Sequence, residues 1–240
     1  VSVRYQSGAP SIAAGTIHAI NRSLAALPEI PVERLFAAEV WQDGDVASVW
    51  APYQVLLGDR VLHCGYDAFH LVRETGQWRL AGAIYTARPG ECDAIQAAAR
   101  TLPRDPPVAE RTAVLAAIEQ FFDGMRRRDT AQLTASFSPR AAWIIVSYRD
   151  GTPTVFRRLA AEDNARVARS PDRLDERLLD TVVRVDGDIA VVWGSYEFRV
   201  GNRVTHCGYD GFHLVREEGW RLEGGVYTVR PDGCAGLRRP

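Results

Sequence analysis

His206-Cys207-Gly208-Tyr209-Asp210-Gly211-Phe212-His213-Leu214-Val215-Arg216-Glu217 decides how the rest of the chain is read, because it stands in the sequence twice. The stretch from His63 to Glu74, 143 residues earlier, is the same string with Ala68 in place of Gly211. A self-match at a fixed offset sets the architecture before any local reading does. The match extends outward. Val146 to Pro153 answers Val3 to Pro10, and Asp186-Gly187-Asp188 answers Asp43-Gly44-Asp45. The chain therefore reads as a tandem duplication, with a first unit over 1–100, a stiff proline-containing linker over 101–107 and a second unit over 108–240.

Each unit ends in a meander of long strands. Asp43-Gly44-Asp45 and Asp186-Gly187-Asp188 are tight turns, and Gly58-Asp59 and Gly201-Asn202 lead into the duplicated string. Gly76 and Gly219 make the last turns, before final strands over 78–87 and 220–229. Ahead of the meander, 12–26 and 155–168 read as short helices closed by Pro28 and Pro171. The second unit alone opens with an amphipathic helix over 108–128, with Val114, Ile118, Phe121, Phe122 and Met125 at helical spacing. A second helix over 130–137 follows Asp129 as N-cap. The counterpart of these helices would precede Val1, so the first unit is expected to be truncated, since an uncovered curved sheet exposes a large apolar face.

With 240 residues, 46% hydrophobic and 25% charged, and a formal net charge of −1, the composition is that of a soluble globular protein. No block of like charge is long enough for a nucleic-acid patch, and Arg126-Arg127-Arg128 reads as solvated helix surface. No apolar run reaches the ~20 residues of a membrane span. The four cysteines form two equivalent pairs. A hairpin turning over 74–77 lays Ala87 beside Cys64, and a few more residues bring Cys92 back to it. Disulfides Cys64–Cys92 and Cys207–Cys234 are therefore expected, with buried free thiols as the alternative, and they imply a secreted or periplasmic setting. Metal-ligand spacing is absent, and neither a metal nor a cofactor is expected.

The run from Ala117 to Asp129, with Leu133, Phe137 and Ala141 to Trp143, resembles the opening helices of the nuclear transport factor 2-like (NTF2-like) superfamily, which includes SnoaL-like and ketosteroid-isomerase-like proteins. Val191-Val192-Trp193, the duplicated string and Gly219-Trp220-Arg221-Leu222 resemble its lumazine-binding branch. The resemblance implies an α+β fold of two tandem cone-shaped domains, each a curved antiparallel sheet wrapped on helices around a pocket. It also implies sheet-to-sheet pairing, as an intramolecular pseudo-dimer or a homodimer. Function is not implied, because the superfamily holds enzymes and non-catalytic modules alike.

Counting outward from a two-residue turn at Gly201-Asn202 pairs Tyr196 with Cys207 and Trp193 with Asp210. On that count one face carries Tyr196, Tyr209, His213, Trp220 and Thr228, and it is expected to line the pocket with Tyr148. The first-unit equivalents are Tyr5, Tyr53, Tyr66, His70, Trp78 and Thr86. His206 and Asp210, with His63 and Asp67, fall on the other face as an alternative polar pair about 13 Å apart along one strand. No catalytic set of the family maps onto the chain, so the catalytic question stays open. Three functions follow. The first is non-catalytic binding of a small hydrophobic or aromatic ligand in the pocket. The second is a cofactor-independent acid–base lyase, isomerase or cyclase using His213, Tyr148 or Asp210. The third is a protein–protein module using the outer sheet face through Trp50, Trp193, Phe69 and Phe212.

Overall fold

A computed structural model describes residues 1–5, 10–16, 19, 22, 24–101 and 105–234. Residues 7–9 of the expected first turn, 17, 18, 20, 21 and 23 of the expected first helix, and 102–104 of the linker lie outside that set.

The fold is α+β, built on two sheets. The first contains β1 (Ser2–Arg4), β2 (Ser11–Ala13), β3 (Val32–Leu35), β4 (Glu39–Asp43), β5 (Val46–Leu57), β6 (Arg60–Glu74) and β7 (Gln77–Ala87), in the order β2-β1-β7-β6-β5-β3, with β4 also on β5. Helix α1 (Cys92–Ala99) follows it, then α2 (Val108–Arg127) and α3 (Thr130–Ala135). The second sheet contains β8 (Phe137–Arg149), β9 (Thr152–Leu159), β10 (Leu174–Asp186), β11 (Ile189–Val200), β12 (Arg203–Arg216) and β13 (Trp220–Val229), in the order β10-β11-β12-β13-β8-β9. Helix α4 (Ala160–Ala168) connects β9 to β10. Both sheets are mixed rather than purely antiparallel, because β1 runs parallel to β7 and β8 parallel to β13.

Helix α2 forms where the sequence places it. Its buried residues Val114, Ala117, Ile118, Phe121, Phe122 and Met125 recur every three or four positions and make one stripe. That stripe packs on Phe212, Leu214, Leu222, Val183 and Val192 of the second sheet. Asp129 caps α3 by accepting a hydrogen bond from Gln132 N at 3.0 Å. The helices expected over 12–26 and 155–168 are shorter than their pattern. Ser11–Ala13 and Thr152–Leu159 are strands instead, because Thr152, Thr154, Val155 and Phe156 are branched or aromatic and pair with β8. Likewise Phe137 opens β8 instead of ending α3.

The two sheets pack face to face, and their contacts come in equivalent pairs. Tyr5 Oη donates to Asp188 Oδ2 and accepts from Asp188 N, both at 2.8 Å. Tyr148 Oη does the same with Asp45, at 2.8 and 2.7 Å. Thr86 Oγ1 donates to Asp186 and Thr228 Oγ1 to Asp43, each at 2.6 Å. Arg88 pairs with Asp186 and Arg230 with Asp43. Between them the His70 and His213 rings stack with centroids 3.4 Å apart. Gly44 and Gly187 are required in these turns, for they adopt φ near +57° and +56° and a Cβ would collide with the Tyr148 and Tyr5 hydroxyls.

Cysteines pair as Cys64–Cys92 and Cys207–Cys234, with Cα atoms 5.5 and 5.2 Å apart. Both bonds tie the segment after the last strand to the duplicated string, and no free cysteine occurs among the described residues. No helix among them is long and apolar enough to cross a membrane.

Candidate functional site

In the duplicated string, neighbouring residues point to opposite sides of β12, as a strand requires. Tyr209, Gly211 and His213 face the first sheet, and Tyr209 stacks on Trp193 of the adjacent β11 with centroids 5.7 Å apart. His206, Asp210 and Phe212 face α2 and α4. Gly208, also on that side, lies where the Thr228 carbonyl comes so close that a Cβ would collide with it.

Between the second sheet, α2 and α4 lies a cavity of about 750 Å³, a volume usual for small-molecule sites. Its walls carry the aromatic rings of Phe121, Trp143, Phe198, Phe212 and Tyr227, and its polar groups include Glu176, Tyr196, His206 and Asp210, with Ser147 and Thr154 on the strands and Asp163 and Asn164 on α4. Three arginines, Arg149, Arg158 and Arg166, also border it.

Asp210 is buried, at 2% exposure, and its Oδ2 has no hydrogen-bond donor among the described residues. The group beside it is the Glu176 carboxyl of β10, an acceptor too unless one of the two carries a proton. Burial, then the neighbouring Glu176 charge, hold Asp210 well above the usual carboxylate range. Glu176 is pushed up to about 7, chiefly by burial. The two thus share a proton near neutrality, as like charges at close range cannot both ionise cheaply. Tyr196 Oη donates to the Thr228 carbonyl at 2.7 Å, and burial pushes its hydroxyl far above the ordinary range. His206 stacks on Phe198 at 4.6 Å and contacts Thr205 Oγ1 through Nδ1 at 3.1 Å. Burial lowers it to about 4, so at neutral pH it is an uncharged imidazole.

The structure divides the residues expected at the site. Tyr196 lines the cavity, and Trp220 packs at the edge of the same helix-covered core without lining it. Tyr148, Tyr209, His213 and Thr228 are corrected to the sheet–sheet contact, with Tyr5, Tyr66, His70 and Thr86 opposite or beside them. The polar pair His206 and Asp210 moves the other way, into the cavity. For the residues of β12 a β-bulge is the reason. The register shifts between Phe198 and Arg199, so Tyr196 pairs with Gly208 rather than Cys207 and Trp193 with Gly211 rather than Asp210. One extra residue, Thr205, exchanges the faces of everything after it on β12. Trp50 and Trp193 are buried between the sheets and Phe212 lies in the helix-covered core, so these anchors are not free for a protein partner.

Glu176 was missed by sequence reasoning. Its signal was the repeat, because Glu33 stands 143 residues earlier and sits beside Asp67 as Glu176 sits beside Asp210. Burial and the Glu33 charge push Asp67 up to about 9. Tyr53 Oη donates to the Thr86 carbonyl at 2.7 Å and lies 3.1 Å from His63 Nδ1, which completes a matching first-unit set. Asp67 and Tyr53 are themselves buried, but the sheet beside them is less covered than in the second unit. Leu80 is 44% exposed while its equivalent Leu222 is fully buried, and Trp78 is exposed.

No protein-family model and no curated protein matches the sequence. Solved structures do resemble the fold. An NTF2-like protein from Cytophaga hutchinsonii is 16% identical, covering 50% of this chain and 98% of its own, with a TM-score of 0.42. A protein from Streptomyces avermitilis, provisionally named a dehydratase of the NTF2-like family, is 18% identical, covering 52% and 99%, with a TM-score of 0.40. An NTF2-like protein from Silicibacter pomeroyi is 21% identical over 52% and 100%, with a TM-score of 0.37. Over about half its length, the chain is similar to NTF2-like proteins.

Proposed function

We propose that the second unit binds a small apolar or aromatic molecule that presents an acceptor oxygen to the Glu176–Asp210 pair. The observation that carries this reading is the pair itself: the Glu176 carboxyl beside the buried Asp210 carboxyl on the wall of an aromatic cavity, both held above the usual carboxylate range. A carboxyl kept protonated by an apolar site is a hydrogen-bond donor, and it can hold a ligand's carbonyl or phenolate oxygen. Around the site, units 1–100 and 108–240, joined by 101–107, act as an intramolecular pseudo-dimer. The paired contacts between the sheets support that reading. The two disulfides suit a secreted or periplasmic setting.

The test is the neutral fluorophore N-phenyl-1-naphthylamine. Wild type is expected to enhance its emission saturably. Val167→Trp, which fills the cavity from half-buried α4, is expected to weaken binding at least tenfold with an unchanged melting curve. Equal binding by both proteins contradicts the reading.

A second reading, acid–base catalysis on a carbonyl compound, is favoured by one observation, the rise of Glu176 to about 7. A base poised near neutrality beside a proton donor suits proton transfer next to a carbonyl. Exchange of the methyl protons of 2-acetylnaphthalene into D2O, followed by NMR, checks it. Acceleration by wild type and its loss in Glu176→Gln support catalysis, and exchange at the buffer rate leaves binding alone.

A further inference from the structure

We propose that the arginines bordering the cavity select a ligand with an anionic far end. The ligand is an aromatic body whose acceptor oxygen reaches Glu176 and Asp210 and whose carboxylate or sulfonate reaches Arg149 and Arg166. This inference rests on the pocket reading above and adds the class of ligand.

Strand register sets the depth of each group. Asp210 pairs with Tyr227, and Tyr227 with Ile145, so the three lie in one layer. Val229 and Ser147 pair in the next layer along the same strands. Arg149 lies two residues beyond Ser147, about 13 Å from Ile145 at the usual rise of a strand. That separation suits a two-ring aromatic molecule held at both ends.

Charge at this end is unbalanced. Arg158 pairs with Asp163 at 3.2 Å and packs over Phe156. Arg149 and Arg166 are exposed, and neither forms an ion pair among the described residues. Four other arginines of the second unit are engaged by carboxylates, Arg126 by Asp175, Arg184 by Glu39, Arg216 by Asp188 and Arg230 by Asp43, and none of these four borders the cavity. Three guanidiniums therefore border an aromatic cavity with one rim carboxylate, Asp163, among them. A guanidinium is weakly hydrated and its fork matches a planar anion, so it binds such a group well at the edge of an apolar site.

The repeat provides an internal control. Glu176, Tyr196, His206 and Asp210 all have identical counterparts in Glu33, Tyr53, His63 and Asp67. The three arginines do not, for Gln6, Gly15 and Ser23 stand at the positions of Arg149, Arg158 and Arg166. They belong to the unit with the covered cavity, not to what the two units share.

Two probes with the same aryl body separate the contributions: N-phenyl-1-naphthylamine and its sulfonated relative 8-anilinonaphthalene-1-sulfonate. With wild type, the sulfonate is expected to bind at least tenfold tighter and to be displaced by the neutral probe. In the double variant Arg149→Gln, Arg166→Gln, that advantage should fall below threefold while the neutral probe binds as before. Both side chains are exposed, so the fold is not at stake. Equal affinities in wild type, an advantage that survives in the double variant, or sulfonate that the neutral probe cannot displace overturns the inference alone. Failure of wild type to bind either probe overturns it together with the pocket reading.

Discussion

Asp210 carries a stability cost that its position makes visible. A buried carboxyl without a donor is expensive unless it is neutral, and neutrality here depends on the proton it shares with Glu176. The consequence for pH follows from linkage. Glu176 titrates near 7 in the fold against 4.5 unperturbed, so its stabilising contribution is complete below about 4.5 and is lost as pH rises through about 7. His206 acts in the opposite sense. Its folded value near 4 lies below 6.5, so its contribution is complete above 6.5 and is lost as pH falls through about 4. Urea midpoints measured from pH 4 to 8 should fall toward the alkaline end in wild type, and Glu176→Gln should flatten that limb without altering the acid one. An unchanged alkaline limb in the variant sinks the shared proton. His70 and His213 reinforce the acid limb, since both are buried, stacked and held below the ordinary range by burial. His213→Phe should move the acid midpoint to lower pH, read by the same urea series.

Strand β12 shows where sequence reasoning succeeds and where it stops. Alternation along the string is plain from its residues, and the turn at 201–202 with its first pair, Val200 with Arg203, was readable too. What could not be read is the bulge at Thr205, because an extra residue leaves no mark in a polar, partly exposed strand end. That single residue exchanged the faces of β12, so Tyr209 and His213 were assigned to the pocket and His206 and Asp210 away from it, while Thr228 on β13 follows a second register shift, opposite His213 and Leu214. Helix α2 was legible for the opposite reason, since Val114, Ile118, Phe121, Phe122 and Met125 at helical spacing overdetermine it, and all five are buried. The Tyr148 site was out of reach, because its partner Asp45 is 103 residues away and only the facing sheets bring them together. Deleting Thr205 should close the bulge and leave the pairs from Phe198 with His206 onward, and so the pocket-facing side of β12, unchanged. The near-ultraviolet circular dichroism spectrum should keep its aromatic signal, and a variant that loses it contradicts this register. In α2, Phe122→Ala is expected to cost about 3–5 kcal/mol in a urea melt, the usual range for a large buried aromatic.

Taken whole, the molecule uses one duplicated string for two purposes. Its alternate residues build the polar wall of a cavity and the contact between the sheets, and Thr228 joins the two, holding Tyr196 with its carbonyl and Asp43 with its hydroxyl. Facing sheets explain why both copies keep the Tyr, Asp, Thr and Arg of the contact, since each pairs with the other unit. Removing one hydroxyl leaves a partly buried carboxylate short of a donor. Tyr148→Phe and Tyr5→Phe should therefore each cost about 1–3 kcal/mol, with near-equal effects on the melt. Markedly unequal costs would contradict the equivalence of the two contacts.

The pocket reading depends most on the proton shared by Glu176 and Asp210. Carboxyl 13C NMR, titrated from pH 4 to 9 with and without 2-acetylnaphthalene, follows that proton directly. The expected result is a pair that still holds one proton at pH 7, with its apparent pKa rising when the ketone binds, because an acceptor oxygen stabilises the protonated form. Two carboxyls fully ionised by pH 5 and indifferent to the ketone would contradict it.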